Sequence, residues 1–480
     1  MGNAMRQRNK VLAAALCGAA AVLWTGAKMA DGQTKLHGLF GDNMVLQRGM
    51  PTAVYGYDRA GQRVTVEVAG QTRTATADAK GKWRVELKPV AATPAGESHM
   101  LTVRGSSAVT CKNVLFGDVW LCGGQSNMEV GPHKKDVHAT RDYDRIRLFQ
   151  VSKTTAREPL ERLAKPGAWK PATVANANGF TIVGYRFGLN LHEAIDVPVG
   201  LIQSAAGSTA IAAWLRGEVW KATGSDKPAH SDGGPTTRYN AMVHPLTGHT
   251  IKGIVWWQGE NDTWSKTGRY GEMFVAQIKD YRTQWGRPDL PFIYVQLQSS
   301  ISRRSPDVRR GQNQAMSLPH TAMVVAVDVA FAIHPKGQKQ DVAQRLALAA
   351  RGVAYGEDIV HTGPIPTRCE REGDKLRLHF RHVGSGLELR TPEPPGAIAD
   401  DGKPWQIAPA RGEFVTATAE TDGETVLLSA PGVSQPARVR YAQSWRPSLR
   451  LYNKEGLPMP PYEISVEHAA KAADESDGGR

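Results

Sequence analysis

The stretch Gly117-Asp118-Val119-Trp120-Leu121-Cys122-Gly123-Gly124-Gln125-Ser126-Asn127-Met128 decides the reading of this chain. Val119 to Cys122 is a short apolar run, the composition of a buried strand. It meets two glycines, which permit a tight turn and close backbone approach. A serine delivered just past such a turn is placed to act as a nucleophile, with its own N–H available to a developing oxyanion. The segment is not a G-x-S-x-G nucleophile elbow, because Met128 stands where the second glycine belongs. Taken alone, a Gly-Gly-x-Ser turn describes an ordinary turn serine or helix N-cap equally well.

Working outward, apolar strand-like runs (Val199 to Gln203, Ile251 to Trp257, Phe292 to Leu297, Ala322 to Val327) alternate with segments of helical spacing, such as Tyr185 to Ala194 and Gln340 to Val353. That alternation predicts an α/β domain with a mostly parallel sheet over 114–358. In such sheets, ligands bind beyond the carboxyl ends of the strands. The strand ending at Trp257 runs into Gln258-Gly259-Glu260-Asn261-Asp262, where an Asn or Gln amide can aim an N–H at an oxyanion. One such donor is worth about 2.7–4 kcal/mol of barrier. An Asx turn capping a helix fits the same spacing. After Gln203 comes Ser204-Ala205-Ala206-Gly207, and Gly207 offers a backbone N–H. A serine nucleophile needs a base, and two of the 14 histidines share a context: Val243-His244-Pro245 and Ile333-His334-Pro335. Proline after histidine favours an extended backbone that presents the ring, so on spacing alone the two are equal.

The flanks have a different texture. Residues 31–113 alternate with period two, as in Arg63-Val64-Thr65-Val66-Glu67-Val68, and predict an N-terminal β-sandwich-like domain. Residues 359–466 predict a C-terminal β-rich region, and 467–480 a disordered tail. At the start, Arg6, Arg8 and Lys10 precede an apolar run of about fourteen residues from Val11 to Trp24, followed by small residues. Residues 1–27 therefore read as a signal peptide, and the mature chain as exported, periplasmic or extracellular.

With 480 residues, 41% of them hydrophobic, the chain is not a disordered one, and four cysteines without a CxxC pair make neither a disulfide scaffold nor a zinc site. Cys111, Cys122 and Cys369 are expected as buried thiols. The net charge of +13 is scattered, without basic motifs interleaved with aromatics, which argues against nucleic acid as a partner. No other segment approaches the roughly twenty apolar residues of a membrane span.

Gly124-Gln125-Ser126-Asn127-Met128, Gly259-Glu260-Asn261-Asp262 and the late Ile333-His334-Pro335 together resemble the SGNH/GDSL hydrolase superfamily. More closely, they are similar to the sialate O-acetylesterase family of carbohydrate esterases. Asn43-Met44-Val45-Leu46-Gln47-Arg48, Tyr239-Asn240-Ala241-Met242-Val243-His244-Pro245-Leu246 and Val439-Arg440-Tyr441 extend the resemblance along the chain. It implies an SGNH-hydrolase-like three-layer α/β domain with a parallel sheet, flanked by N- and C-terminal β-rich, sandwich-like parts.

The resemblance also implies a carbohydrate O-acetylesterase that removes acetyl groups from sialic acid or an acetylated polysaccharide through an acyl-enzyme. Ser126 matches the nucleophile and His334 the base, in preference to His244. The N–H groups of Ser126 and Gly207 and the amide of Asn261, with Gln258 as its rival, match the oxyanion hole. No cofactor and no metal are needed, and the partner is an acetylated carbohydrate. Trp214, Trp256 and Trp257 are available for stacking on a sugar or for core packing.

Three departures stand out. Phe331 occupies the position where D-x-x-H places the acid, leaving Asp328 as the nearest carboxylate in sequence, unless a backbone carbonyl orients the ring. Ser208 stands where the family often has Gly, and Ala205-Ala206 replace a larger residue. A non-catalytic carbohydrate-binding protein, or an esterase or lipase of non-sugar esters, remain the alternatives.

Overall fold

The computed structural model describes residues 33–129, 139–224, 233–264, 268–299, 301–329, 332–335, 338–390 and 403–466. The expected signal peptide 1–27 and tail 467–480 lie outside the described residues.

One long strand, β1 (Ala108–Gly124), organises the molecule. Its first residues alternate in exposure and pair antiparallel with His99–Arg104 of the N-terminal region. From Val114 onward every residue is buried, as expected where a strand enters a parallel sheet covered on both faces. The expected boundary at 113/114 therefore falls inside a continuous strand, which joins the two regions without a linker.

The central sheet adds β2 (Tyr143–Gln150), β3 (Lys170–Ala172), β4 (Val199–Ala205), β5 (Gly253–Trp257), β6 (Phe292–Gln296) and β7 (Thr321–Val325). Their spatial order is β3-β2-β4-β1-β5-β6-β7. All neighbouring pairs are parallel except β3 with β2. The chain moves from β1 to one side for β2 and β4, then crosses to the other for β5. The carboxyl ends of β4, β1 and β5 therefore flank a topological switch point.

Consecutive strand residues point to opposite faces and enter different cores. Leu201, Val255 and Ile293 pack with Phe187 and Leu191 of helix α1 (Ile182–Ile195) and with Val342 and Leu346 of helix α2 (Lys339–Tyr355). Ile202, Ile254 and Phe292 pack instead with Phe274 and Ile278 of Tyr270–Gln284 and Val308 of Ser305–Gln314. This second core runs on into Val54, Val64 and Trp83 of the N-terminal strands, so the two regions share apolar packing.

Beyond the helix ending at Tyr355, antiparallel pairs such as Ile365–Glu372 with Lys375–Arg381 build a third core that also takes in Val325 and Val327. The architecture is mixed α/β with several sheets. Cys111, Cys122 and Cys369 are free, buried thiols. No helix among the described residues is long and apolar enough to cross a membrane.

Candidate active site

Three loops meet at the switch point. At the end of β1 the backbone runs so close to β5 that side chains do not fit. A Cβ on Gly123 would lie 2.6 Å from the Trp256 ring, and one on Gly124, whose φ is +136°, would lie 2.0 Å from the Trp257 carbonyl oxygen. Gln125 N–H donates to that same carbonyl at 3.0 Å, and Ala206 N–H donates to Gly124 O at 3.0 Å. A short helix then opens at Ser126, which is only partly buried. Both neighbouring strands thus brace the turn that carries the serine.

Gly207 follows β4 and lies beside Ser126: a Cβ there would lie 3.4 Å from Ser126 Cβ. Its N–H donates to the Glu129 carboxylate, whose other oxygen lies 2.8 Å from Lys153 Nζ. Ser208 adopts φ +59°, a left-handed conformation that glycine enters without strain, which accounts for the preference for Gly at this position.

The loop after β5 docks on Gln125. Gln125 is buried, and its Oε1 accepts from Gln258 Nε2 at 3.2 Å, Asn261 N at 3.3 Å and Gly259 N at 3.4 Å. Among the described residues its Nε2 donates to no protein acceptor, leaving an amide N–H pair beside Ser126. Gln258 is the reverse case. Its Nε2 faces Thr209 O at 3.1 Å, Gln125 Oε1 and the Asp262 carboxylate, so its donors are engaged inside the protein. Asn261 is half-buried in the same turn. Asp262 also accepts from Ile211 N at 3.0 Å, and burial pushes its carboxyl up to about 7.

His334 arrives from the far side. It follows β7, three strands from β1, a lateral distance of about 14 Å at ~4.8 Å per strand. The gap is bridged at Ile333, whose carbonyl accepts from Asn127 Nδ2 at 2.8 Å and Gln298 Nε2 at 3.1 Å. Asn127 adjoins Ser126 and Ile333 adjoins His334, so these bonds bring the serine and histidine segments together. His334 itself is exposed. The ring of His244 lies 6.0 Å from that of Tyr239; burial lowers its pKa, and the charges of Glu161 and Arg216 act on it, outside the Ser126 cluster.

A family model described as carbohydrate esterase, sialic acid-specific acetylesterase, matches residues 116–350, a span that includes Ser126, Gly207, Asn261 and His334. The chain is 33% identical over 395 residues to a sialate O-acetylesterase of Homo sapiens, covering 71% of this chain and 75% of that protein. With the sialate O-acetylesterase of Mus musculus it shares 32% identity over 513 residues, covering 88% and 93%. The chain belongs to the sialate O-acetylesterase family. A crystal structure of a carbohydrate acetylesterase from Xanthomonas citri superposes with a TM-score of 0.80 at 35% identity, covering 90% of this chain and 99% of that one. Membership makes this protein an ester hydrolase.

In this member of the sialate O-acetylesterase family Asp328 is held by Arg345, with both oxygens 2.7 Å from guanidinium nitrogens, and Tyr452 OH donates to it at 3.4 Å. It ties helix α2 to the loop after β7 and has its carboxylate turned to arginine, because Arg345 lies two turns into that helix over the strand end. Trp214, Trp256 and Trp257 are 0–1% exposed and pack in the cores, so none can stack on a sugar. Trp214 Nε1 donates to Thr209 Oγ1 at 2.9 Å and Trp257 Nε1 to Gln298 Oε1 at 3.1 Å.

Trp264, by contrast, is 62% exposed at the end of the Asn261–Trp264 turn. Sequence reading missed it, although three residues beyond Asn261 in a turn was a readable position. Gln125 and Asn127 were also missed as functional, despite flanking Ser126. Gln298 and Lys339 had no local signal. Among the described residues, no group of three or more His, Cys, Asp or Glu is arranged to hold a metal ion.

Proposed function

We propose that this protein removes O-acetyl groups from sugar hydroxyls through an acetyl-enzyme on Ser126, with His334 as base, in an SGNH-type domain. The observation that supports this reading is the bond from Asn127 Nδ2 to Ile333 O, which links the residue after Ser126 to the residue before His334. His334 takes the Ser126 hydroxyl proton while Oγ attacks the acetyl carbonyl. The oxyanion is met by the N–H groups of Ser126 and Gly207 and by the amides of Asn261 and Gln125, each such donor contributing about 2.7–4 kcal/mol. His334 then protonates the departing sugar oxygen. It next deprotonates a water that attacks the acetyl-enzyme, releasing acetate and restoring Ser126.

Gly207 N–H serves in this scheme once Glu129 has swung away toward Lys153, its ion-pair partner. That Asp328 is paired with Arg345 supports a reading in which it is not the group that orients the imidazole. Lys153, its side chain half exposed beside Glu129, and the exposed Trp264 suit an acidic pyranose such as an acetylated sialic acid. The alternative polysaccharide substrate differs in lacking that carboxylate.

Acetate release from p-nitrophenyl acetate, a 9-O-acetyl sialoside, acetyl-xylan and acetyl-xyloglucan tests the proposal. Wild type is expected to deacetylate the sialoside best, and Ser126→Ala and His334→Ala to lose at least about 10⁴-fold in kcat. Activity on simple esters but on no glycan would sink the carbohydrate assignment. The occupied Gly207 N–H favours one second reading, a non-catalytic carbohydrate-binding protein. It would prevail if wild type were as inert as Ser126→Ala. We also infer that 1–27 directs export, which N-terminal sequencing of the secreted protein checks.

A further inference from the structure

Beside Ser126 lies a set of buried hydrogen bonds that the acetyl-transfer scheme does not use. The Nδ2 of Asn127 donates to two acceptors, Ile333 O at 2.8 Å and Glu260 Oε1 at 2.5 Å. The Nε2 of Gln298 donates to the same two, at 3.1 Å and 3.2 Å. Each amide has two N–H bonds, and each faces the same pair of oxygens. All three side chains are at most 1% exposed. Glu260 bonds only through Oε1; among the described residues its Oε2 has no partner. Lys339, buried at the start of α2 just past the histidine, reaches Asn127 O at 3.4 Å, and burial lowers its pKa to about 8 against the pull of Glu260.

Such an arrangement is expensive unless it does something. A carboxyl buried this deeply resists ionisation, and burial does raise the Glu260 pKa. An apolar residue at 260 would avoid that cost, but it would leave one N–H on each amide without an acceptor; Asn127 would then be held through Ile333 O alone, and Gln298 through Ile333 O and the Trp257 Nε1–H. With Glu260 in place, both amides are locked with their second N–H aimed at one carbonyl, that of the residue preceding His334. Nothing else among the described residues donates to that carbonyl.

We propose that Glu260, Gln298 and Asn127 form a buried clamp that positions His334 through the carbonyl of Ile333, holding the histidine segment against the nucleophile turn in a protein with Phe331 where D-x-x-H would place an acid. The clamp rests on the Ser126–His334 reading above. Glu260 and Gln298 touch neither substrate nor reacting atoms in this scheme; they are positioning residues, and Glu260 acts as a hydrogen-bond acceptor. Fixing the peptide before His334 limits where its ring can sit, and misplacement of a base by about 1 Å costs on the order of 10²-fold.

The test uses the full chain carrying Gln298→Met, Glu260→Ala or Glu260→Gln, with Ser126→Ala and His334→Ala as references. Steady-state kinetics on p-nitrophenyl acetate, the rate of Ser126 labelling by a fluorophosphonate, and a thermal melt are measured on each. Gln298→Met and Glu260→Ala are expected to lower kcat and the labelling rate in parallel by roughly 10- to 100-fold, with KM within about twofold. Glu260→Gln keeps an acceptor oxygen at the same place and is expected to retain most of the wild-type kcat. Wild-type kcat in folded Gln298→Met and Glu260→Ala would overturn the clamp. So would losses no larger than the fraction unfolded in the melt. Should the two truncating variants fail to fold, Glu260→Gln decides alone: a folded Glu260→Gln as inactive as His334→Ala would refute an acceptor role. Full activity in Ser126→Ala and His334→Ala would instead refute the catalytic reading on which the clamp rests.

Discussion

The two halves of the site are held in opposite ways. The serine turn is set by backbone: Gly124 and Gln125 are wedged between two parallel strands, hydrogen-bonded to Ala206 N and Trp257 O, with no room for a Cβ at Gly123 or Gly124. The histidine segment comes from an edge strand and is secured by two side-chain amides on one carbonyl, that of Asn127 in the serine turn and that of Gln298 beyond β6. A backbone brace is formed by the fold itself and fails only when the fold fails. A side-chain tether can be loosened while the core stays intact. The difference teaches that changes on the serine side should damage stability and activity together, whereas changes on the histidine side should separate them.

The largest effect is expected from Gly124→Ala. Its Cβ would meet a strand carbonyl at 2.0 Å that cannot retreat without breaking the β1–β5 ladder. A loss of more than about 3 kcal/mol in denaturant unfolding is anticipated, with activity lost as well. A mild effect on stability would break the contrast between the two halves. Next comes Gln125→Met, which removes the free amide beside Ser126 and the acceptor on which the Asn261 loop docks. Here kcat should fall about 10²- to 10³-fold, read by steady-state kinetics. An unchanged kcat would show that Asn261 and the backbone donors suffice.

Asp262 sharpens the serine side through pH. Its folded pKa, pushed up by burial to about 7, lies above the ordinary aspartate value of 3.8. The stability that follows from this is full below about pH 4 and is lost as pH rises through 7, because the folded state then has to hold a buried charge. Wild type should therefore lose melting temperature between pH 4 and 7 relative to Asp262→Asn. Parallel melting profiles for the two proteins would contradict this assignment.

The smallest effect belongs to the exposed Trp264. Trp264→Ala should raise KM for an acetylated sialoside several-fold while leaving p-nitrophenyl acetate hydrolysis within about twofold, since stacking on a sugar face is a modest contribution. Equal changes on both substrates would remove Trp264 from glycan binding.

Much of this architecture could be read from local pattern. The alternation of apolar runs with helical spacing announced a parallel sheet, because strand and helix periods are properties of neighbouring residues. The two glycines before Ser126 and the residues after Trp257 marked strand ends, where parallel sheets place their sites. Other features depended on approach in space. That β1 runs on from the N-terminal region without a break became visible only when pairing partners on both sides were known. The burial of Trp214, Trp256 and Trp257 beside the exposure of Trp264 depends on which face each turn presents. Asp328 looked like the partner of His334 because they are six residues apart, yet Arg345, a full loop and two helical turns later, holds it.

What the chain by itself determined was the set of segments and the chemistry each carries: a serine after a glycine turn, amides after a strand, a histidine before a proline. Only the tertiary structure decided which of those groups are free to act. It occupied Gln258 and left Gln125 open, gave Asp328 to arginine, and set Asn127 and Gln298 on the carbonyl before His334. The physical reason is that a residue's type is written locally, whereas the pairing of a buried donor with its acceptor depends on side chains far apart in sequence competing for the same few atoms.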